Sequence, residues 1–164
     1  MRNRRLSSTD NGDSWTLANI GLTSTELAFN DGNYHVFAGT HSIMGKGGGM
    51  FRSTDNGDTW TEQNGGLTAL DVNSVVINPI GHIFAGAVGG VFRSMNDADQ
   101  WSDVSTGLLP PGGNVWAVAT GGIASGGFAY AGTAGGGVFR SVRSTAAVRV
   151  IPRPRPRPTP APRP

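Results

Sequence analysis

Cysteine is absent from the 164-residue chain, which excludes disulfides and thiolate metal centres. Long apolar runs are absent too, and nothing approaches the length of a membrane-spanning helix. The basic start, MRNRRLSSTDNG, has no apolar stretch behind it, so no signal peptide is read there. Charge is scarce at 15% of residues, and tyrosine and glutamate are limited to Tyr34, Tyr130, Glu26 and Glu62. Glycine is abundant, with 26 residues. Many short strands joined by tight turns suit that balance better than helices do. The length suffices for one domain with a real core.

The net charge of +2 hides two opposite parts. Residues 6–145 hold all 11 acids but only Lys46, Arg52, Arg93, Arg140 and Arg143, so 5 − 11 = −6. The other eight arginines lie in the ends. A basic leader (1–5) and a Pro/Arg tail (146–164) therefore flank a mildly acidic body. Nucleic-acid binding would need a basic face on that body, so no nucleic-acid partner is expected.

The body repeats. Residues 8–23 and 53–68 are identical at 12 of 16 positions. Tryptophan recurs at Trp15, Trp60 and Trp101, and "FAGT" (37–40) returns as "FAGA" (84–87) and "YAGT" (130–133). "FRS" stands at 51–53, 92–94 and 139–141. A period near 45 residues made of short strands marks a propeller blade rather than a helical solenoid. In the best-kept unit, "SVVIN" (74–78) reads as a strand buried on both faces, "NPIG" as a turn, "HIFAGA" (82–87) as a second strand and "VFRS" (91–94) as a third. The next slot turns the chain into a fourth strand headed by tryptophan, which completes a four-stranded antiparallel blade.

That slot is "STDNGDSW" at 8–15 and "STDNGDTW" at 53–60. An aspartate there can accept backbone N–H groups a few residues on and hold a tight turn, while Gly12 and Gly57 supply the positive φ. A device recurring once per unit is read as structural rather than as a ligand site. The pattern Ser-x-Asp-x-Gly-x-Thr-Trp resembles the Asp-box, or bacterial neuraminidase repeat. Ser53, Asp55, Gly57, Thr59 and Trp60 match it fully; Ser8, Asp10, Gly12 and Trp15 match with Ser14 for threonine. The third copy, 94–101, keeps Ser94 and Trp101, but Asn96 replaces the aspartate and Ala98 the glycine. The fourth slot, after Ser141, reads VRSTAAVR and holds no such box.

The resemblance covers about residues 6–141. It implies an all-β partial β-propeller of about three four-stranded antiparallel blades with Asp-box hairpins, plus a disordered tail. The family it resembles includes sialidases, xyloglucan-degrading glycosidases, sortilin-type receptors and photosystem II assembly factors, and it has its Asp-boxes at the blade periphery. The motif is specific for a fold and not for an activity.

A sialidase-like site needs an arginine cluster, a tyrosine nucleophile with a glutamate, and an acid/base aspartate. Tyr130 aligns with Phe37 and Phe84 and reads as core, and Glu26 and Glu62 have no evident partner. The recurring Arg52, Arg93 and Arg140 read as a blade-surface feature. A xyloglucanase-like site needs two facing carboxylates, and Asp31, Asp71 and Asp103 show no pairing. His35 and His82 align with Phe128, a strand position rather than a metal ligand, and His41 lacks a second ligand. "GTHSIMGKGGG" (39–49) departs from a phosphate loop in its spacing and in Gly47 after Lys46. No catalytic, cofactor or metal residues are therefore assigned.

The expected function is a non-catalytic repeat module for binding or scaffolding, with a glycan or protein ligand, at an extracellular or cell-surface location. The alternative is a fragment of a sialidase-like or xyloglucanase-like glycoside hydrolase. The chain holds one motif slot with a last strand, two complete units, then three strands of another. Closed propellers have four to eight blades, so the chain is expected to be part of a larger ring or to complete one by self-association. Seven of the ten prolines lie in 151–164, which favours extended polyproline II. The tail is open to reading as a spacer, an anionic-surface binder or a frameshifted end.

Overall fold

The computed structural model describes residues 6–7, 12–14, 16–17, 25–30, 33–42, 48–108, 113–121 and 127–141. The expected leader, the tail, and Ser8, Asp10 and Trp15 lie outside them. All regular structure among the described residues is antiparallel β. A short hairpin pairs β1 (Leu6–Ser7) with β2 (Thr16–Leu17). The first full sheet runs β3 (Thr25–Asn30), β4 (His35–Thr40), β5 (Gly49–Ser53), β6 (Thr61–Glu62). The second runs β7 (Val72–Ile77), β8 (Ile83–Ala87), β9 (Gly90–Ser94), β10 (Ser102–Asp103). The third holds β11 (Val115–Gly121), β12 (Phe128–Thr133) and β13 (Gly137–Arg140).

These are consecutive propeller blades, two with four strands and one with three. The leading hairpin pairs with itself rather than completing the third sheet. The first strand of the second unit begins slightly earlier than its apolar run suggests, at Val72 rather than Ser74, because a bulge between Val72 and Ser74 carries the pairing past a break in register. Trp60 and Trp101 precede the fourth strand instead of heading it, since the short ladder starts at Thr61 and Ser102.

Strand β7 is packed on both sides, against β3 and β11. Its alternation sends Val75 and Ile77 into one apolar cluster with Phe37, Met50, Ile83 and Trp101. Val76 goes into the other, with Phe84, Val91 and Val115. Period-two side-chain direction on a strand between two sheets therefore explains the unbroken apolar run.

The conserved-looking Ala-Gly of the second strands sets the spacing between sheets. A Cβ on Gly39 would lie 2.5 Å from Val72 Cγ1 and 2.8 Å from Val75 Cγ2. The next junction repeats this: a Cβ on Gly86 would lie 2.8 Å from Val115 Cγ1 and 3.0 Å from Val118 Cγ1. The missing methyl is thus the socket into which two valines of the following sheet fit. In the third sheet, Gly132 has only its own sheet's Ala117, at 3.7 Å, as nearest side-chain neighbour.

Overfilling these sockets should push the sheets apart. Gly39→Ala and Gly86→Ala are each expected to cost about 1–3 kcal/mol of stability, read from denaturant unfolding.

Candidate functional site

The hairpin at 53–60 is organised by one hydroxyl. Ser53 is buried, and its Oγ donates to Asp55 Oδ1 (2.7 Å) while accepting the N–H groups of Asp55 (3.3 Å) and Gly57 (2.8 Å). Asp55 then accepts the Thr59 N–H at Oδ1 (2.8 Å) and the Thr59 hydroxyl at Oδ2 (2.5 Å). Gly57 sits at φ 97°, and the Trp60 indole donates to its carbonyl at 3.0 Å. These donors hold the Asp55 carboxyl at about 2, with the Thr59 hydroxyl the largest cause, then the Thr59 N–H and the Ser53 hydroxyl.

The altered third copy keeps the same geometry. Ser94 Oγ donates to Asn96 Oδ1 (3.0 Å) and accepts the N–H groups of Asn96 (3.3 Å) and Ala98 (3.0 Å). Asn96 Oδ1 accepts the Gln100 N–H at 3.1 Å. An amide oxygen therefore replaces the carboxylate, and Ala98 holds φ 69° where the other copy has glycine. Its methyl is buried in the cluster with Trp101, so packing offsets the cost of a left-handed alanine. Of the first copy, Gly12 shares the positive φ, at 99°.

The hairpin at 94–101 also joins two sheets. Arg52 Nη1 on β5 donates to the Asp97 carbonyl (2.7 Å), Asp97 Oδ2 (3.1 Å) and Asp99 Oδ1 (2.8 Å). His35 Nδ1 lies 2.6 Å from Asp97 Oδ2, and Asn33 Nδ2 donates to Asp97 Oδ1 at 2.8 Å. Trp101 is buried and donates its indole N–H across the junction to the Gln63 carbonyl at 2.9 Å. Arg52 is therefore a joint between sheets rather than a surface feature. Asp97 and Asp99 carry no signal within the motif itself; only their partner, 45 residues upstream, gives them a role.

The corresponding joint between the second and third sheets is incomplete. A cavity of about 350 Å³ lies there, lined among the described residues by Phe84, Val91, Arg93, Tyr130, Phe139 and Arg140 with their neighbours. Ile83 of the filled junction is matched by Ala129 here. Arg93 holds the position of Arg52, but its Nε is buried without a hydrogen-bond partner. Arg140 stacks on Phe128, 4.9 Å from the ring centre.

The remaining candidates hold the chain together. Asp71 Oδ1 accepts the N–H and hydroxyl of Ser42, at 2.7 and 2.8 Å, and the N–H first and then the hydroxyl lower its acidity range. Asp103 accepts the Ser105 N–H in a local turn, and Glu62 accepts from Asn64. Tyr130 lines the cavity, and Tyr34 is exposed. Asp31 and Lys46 lie outside the described residues, among which no cluster of three His, Asp or Glu is placed to hold a metal ion.

No protein-family model matches the sequence, and no curated protein matches it. Among solved structures, a GH74 xyloglucanase from Xanthomonas campestris is similar, with a TM-score of 0.62 at 17% sequence identity. The match covers 82% of this chain and 24% of the enzyme, so the chain spans about a quarter of that protein's length. The likeness supports the propeller fold.

Two outcomes follow from the hairpins. A carboxyl whose folded value lies below its ordinary 3.8 stabilises the fold above that value, and the contribution is lost as pH falls through about 2. Thermal melts should therefore weaken across that window, and Asp55→Asn should flatten the dependence while keeping the turn. Ser94→Ala strips a buried hydroxyl from two backbone donors and should cost about 1–3 kcal/mol in denaturant unfolding.

Proposed function

We propose that this chain is a non-catalytic propeller module that binds or scaffolds through its open blade faces. Its hairpins are kin to the Asp-box repeats they resemble, and a glycan or protein is the ligand at a cell-surface or extracellular location. One observation carries the reading. Met50, Val91 and Val138 hold the same repeat position, with exposures of 0%, 6% and 78%. The position is covered wherever a further sheet follows and open on the last one. Leu27, which matches Val75 and Val118, is likewise 51% exposed on the first sheet. Apolar positions of this kind at both ends are what a binding surface requires.

The rival reading, part of a glycoside hydrolase, draws on the likeness to the xyloglucanase. Incubation with xyloglucan and with a fluorogenic sialoside separates the two. The module is expected to release no product from either, and to retain a partner on a glycan array or to associate with itself in solution. Product release that disappears on replacing Asp71 or Asp103 would sink the proposal.

A further inference from the structure

Among the described residues, the joint between the second and third sheets lacks three things that the preceding joint has. It lacks a carboxylate for the arginine, an indole, and a fourth strand. In the preceding joint these are Asp97 and Asp99, Trp101, and Ser102–Asp103 pairing along β9. Counting from Ser94, they lie three, five, seven and eight to nine residues on. The same count from Ser141 gives Ser144, Ala146 and Val148, which offer neither acid nor indole. What remains is the cavity, the unpartnered Arg93 Nε, and β13 paired on one side only among the described residues.

Two other segments of the chain carry all three, and the one at 53–62 already completes the first sheet, which leaves the N-terminal one. Counting from Ser8 in the same way gives Asn11, Asp13 and Trp15, followed by Thr16–Leu17. Asp13 is exposed. Among the described residues, strand β2 pairs only with the two residues of β1, so moving it to another strand exchanges one short ladder for another.

We infer that the N-terminal hairpin of a second copy completes the third sheet, with its Asp13 against Arg93, its Trp15 in the cavity and its Thr16–Leu17 along Phe139–Arg140. The rest of the second copy then continues the stack. Its first sheet lies on the third sheet of the first copy, so its Leu27 meets Gly132 as Val75 meets Gly39 and Val118 meets Gly86. Its Asp58, the counterpart of Asp99, faces Arg140. Val138 is covered as Met50 and Val91 are. Two such contacts join six sheets, within the four-to-eight range of closed propellers. The contact is head to tail, so each surface meets a different one.

This inference rests on the scaffold reading above and names its partner. The cysteine-free sequence gives a clean test in the full chain. Thr16→Cys and Arg140→Cys, which face each other across the proposed ladder as Ser102 faces Arg93, are made in separate chains, mixed and oxidised, and resolved without reductant. A covalent pair should form in the mixture several-fold more than in either variant alone. Light scattering of the unmodified chain should give the mass of two copies. Arg93→Ala should raise the dissociation constant about 30-fold or more. Its effect on the melt of the separated chain should be smaller, because Arg93 Nε has no hydrogen bond there to lose.

A single-chain mass at every concentration tested would overturn the inference. So would equal linkage in self-pairs, or a doubly substituted chain that closes only on itself, which would seat the hairpin in its own molecule. Pairing without the cross-link removes this arrangement and leaves the scaffold reading in place.

Discussion

The close approach of one sheet to the next over a missing side chain sets the terms for everything else. Gly39 and Gly86 leave room for two valines each, and those valines are also the start of the following sheet. Sheets of this size are marginal alone, because each has two faces and neither is shielded without a neighbour. The glycine lets adjacent backbones come near enough for Phe37, Met50, Ile83 and Trp101 to form a continuous cluster. Stability is therefore a property of junctions, and the position of a residue in the stack matters as much as its position in the repeat.

The polar groups follow the same logic. Ser53 and Ser94 tighten the turns from within, and Arg52 then uses the Ser94 turn as an anchor for the first sheet. The turn is thus both a local fold and a contact surface. Where the repeat loses its acid and its tryptophan, the junction keeps its first three strands and its valines but opens a cavity. Replacing Ile83 by the smaller Ala129 at the matching position adds to that space.

Much of this was legible in the residues. The Ser53–Trp60 turn could be read because its hydrogen bonds stay within a few residues, and the blade pattern because it recurs. The bulge at Val72 could not, since a register break leaves the apolar alternation nearly intact. The third turn looked degraded, yet Asn96 supplies the needed oxygen and Ala98 is held by burial. The joint between Arg52 and Asp97 was hidden because it depends on which sheet follows which, and no local spacing encodes that. The repeated glycine was visible as a repeat, but its purpose lies in side chains about 30 residues downstream.

A stack whose leading and trailing faces differ has a direction. Every added unit presents the same trailing face again, so the geometry contains no stop signal of its own. Curvature alone decides whether such a chain of contacts returns to its start or runs on without limit. For a molecule built this way, a small change in the angle between neighbouring sheets separates a closed, soluble particle from a growing fibre.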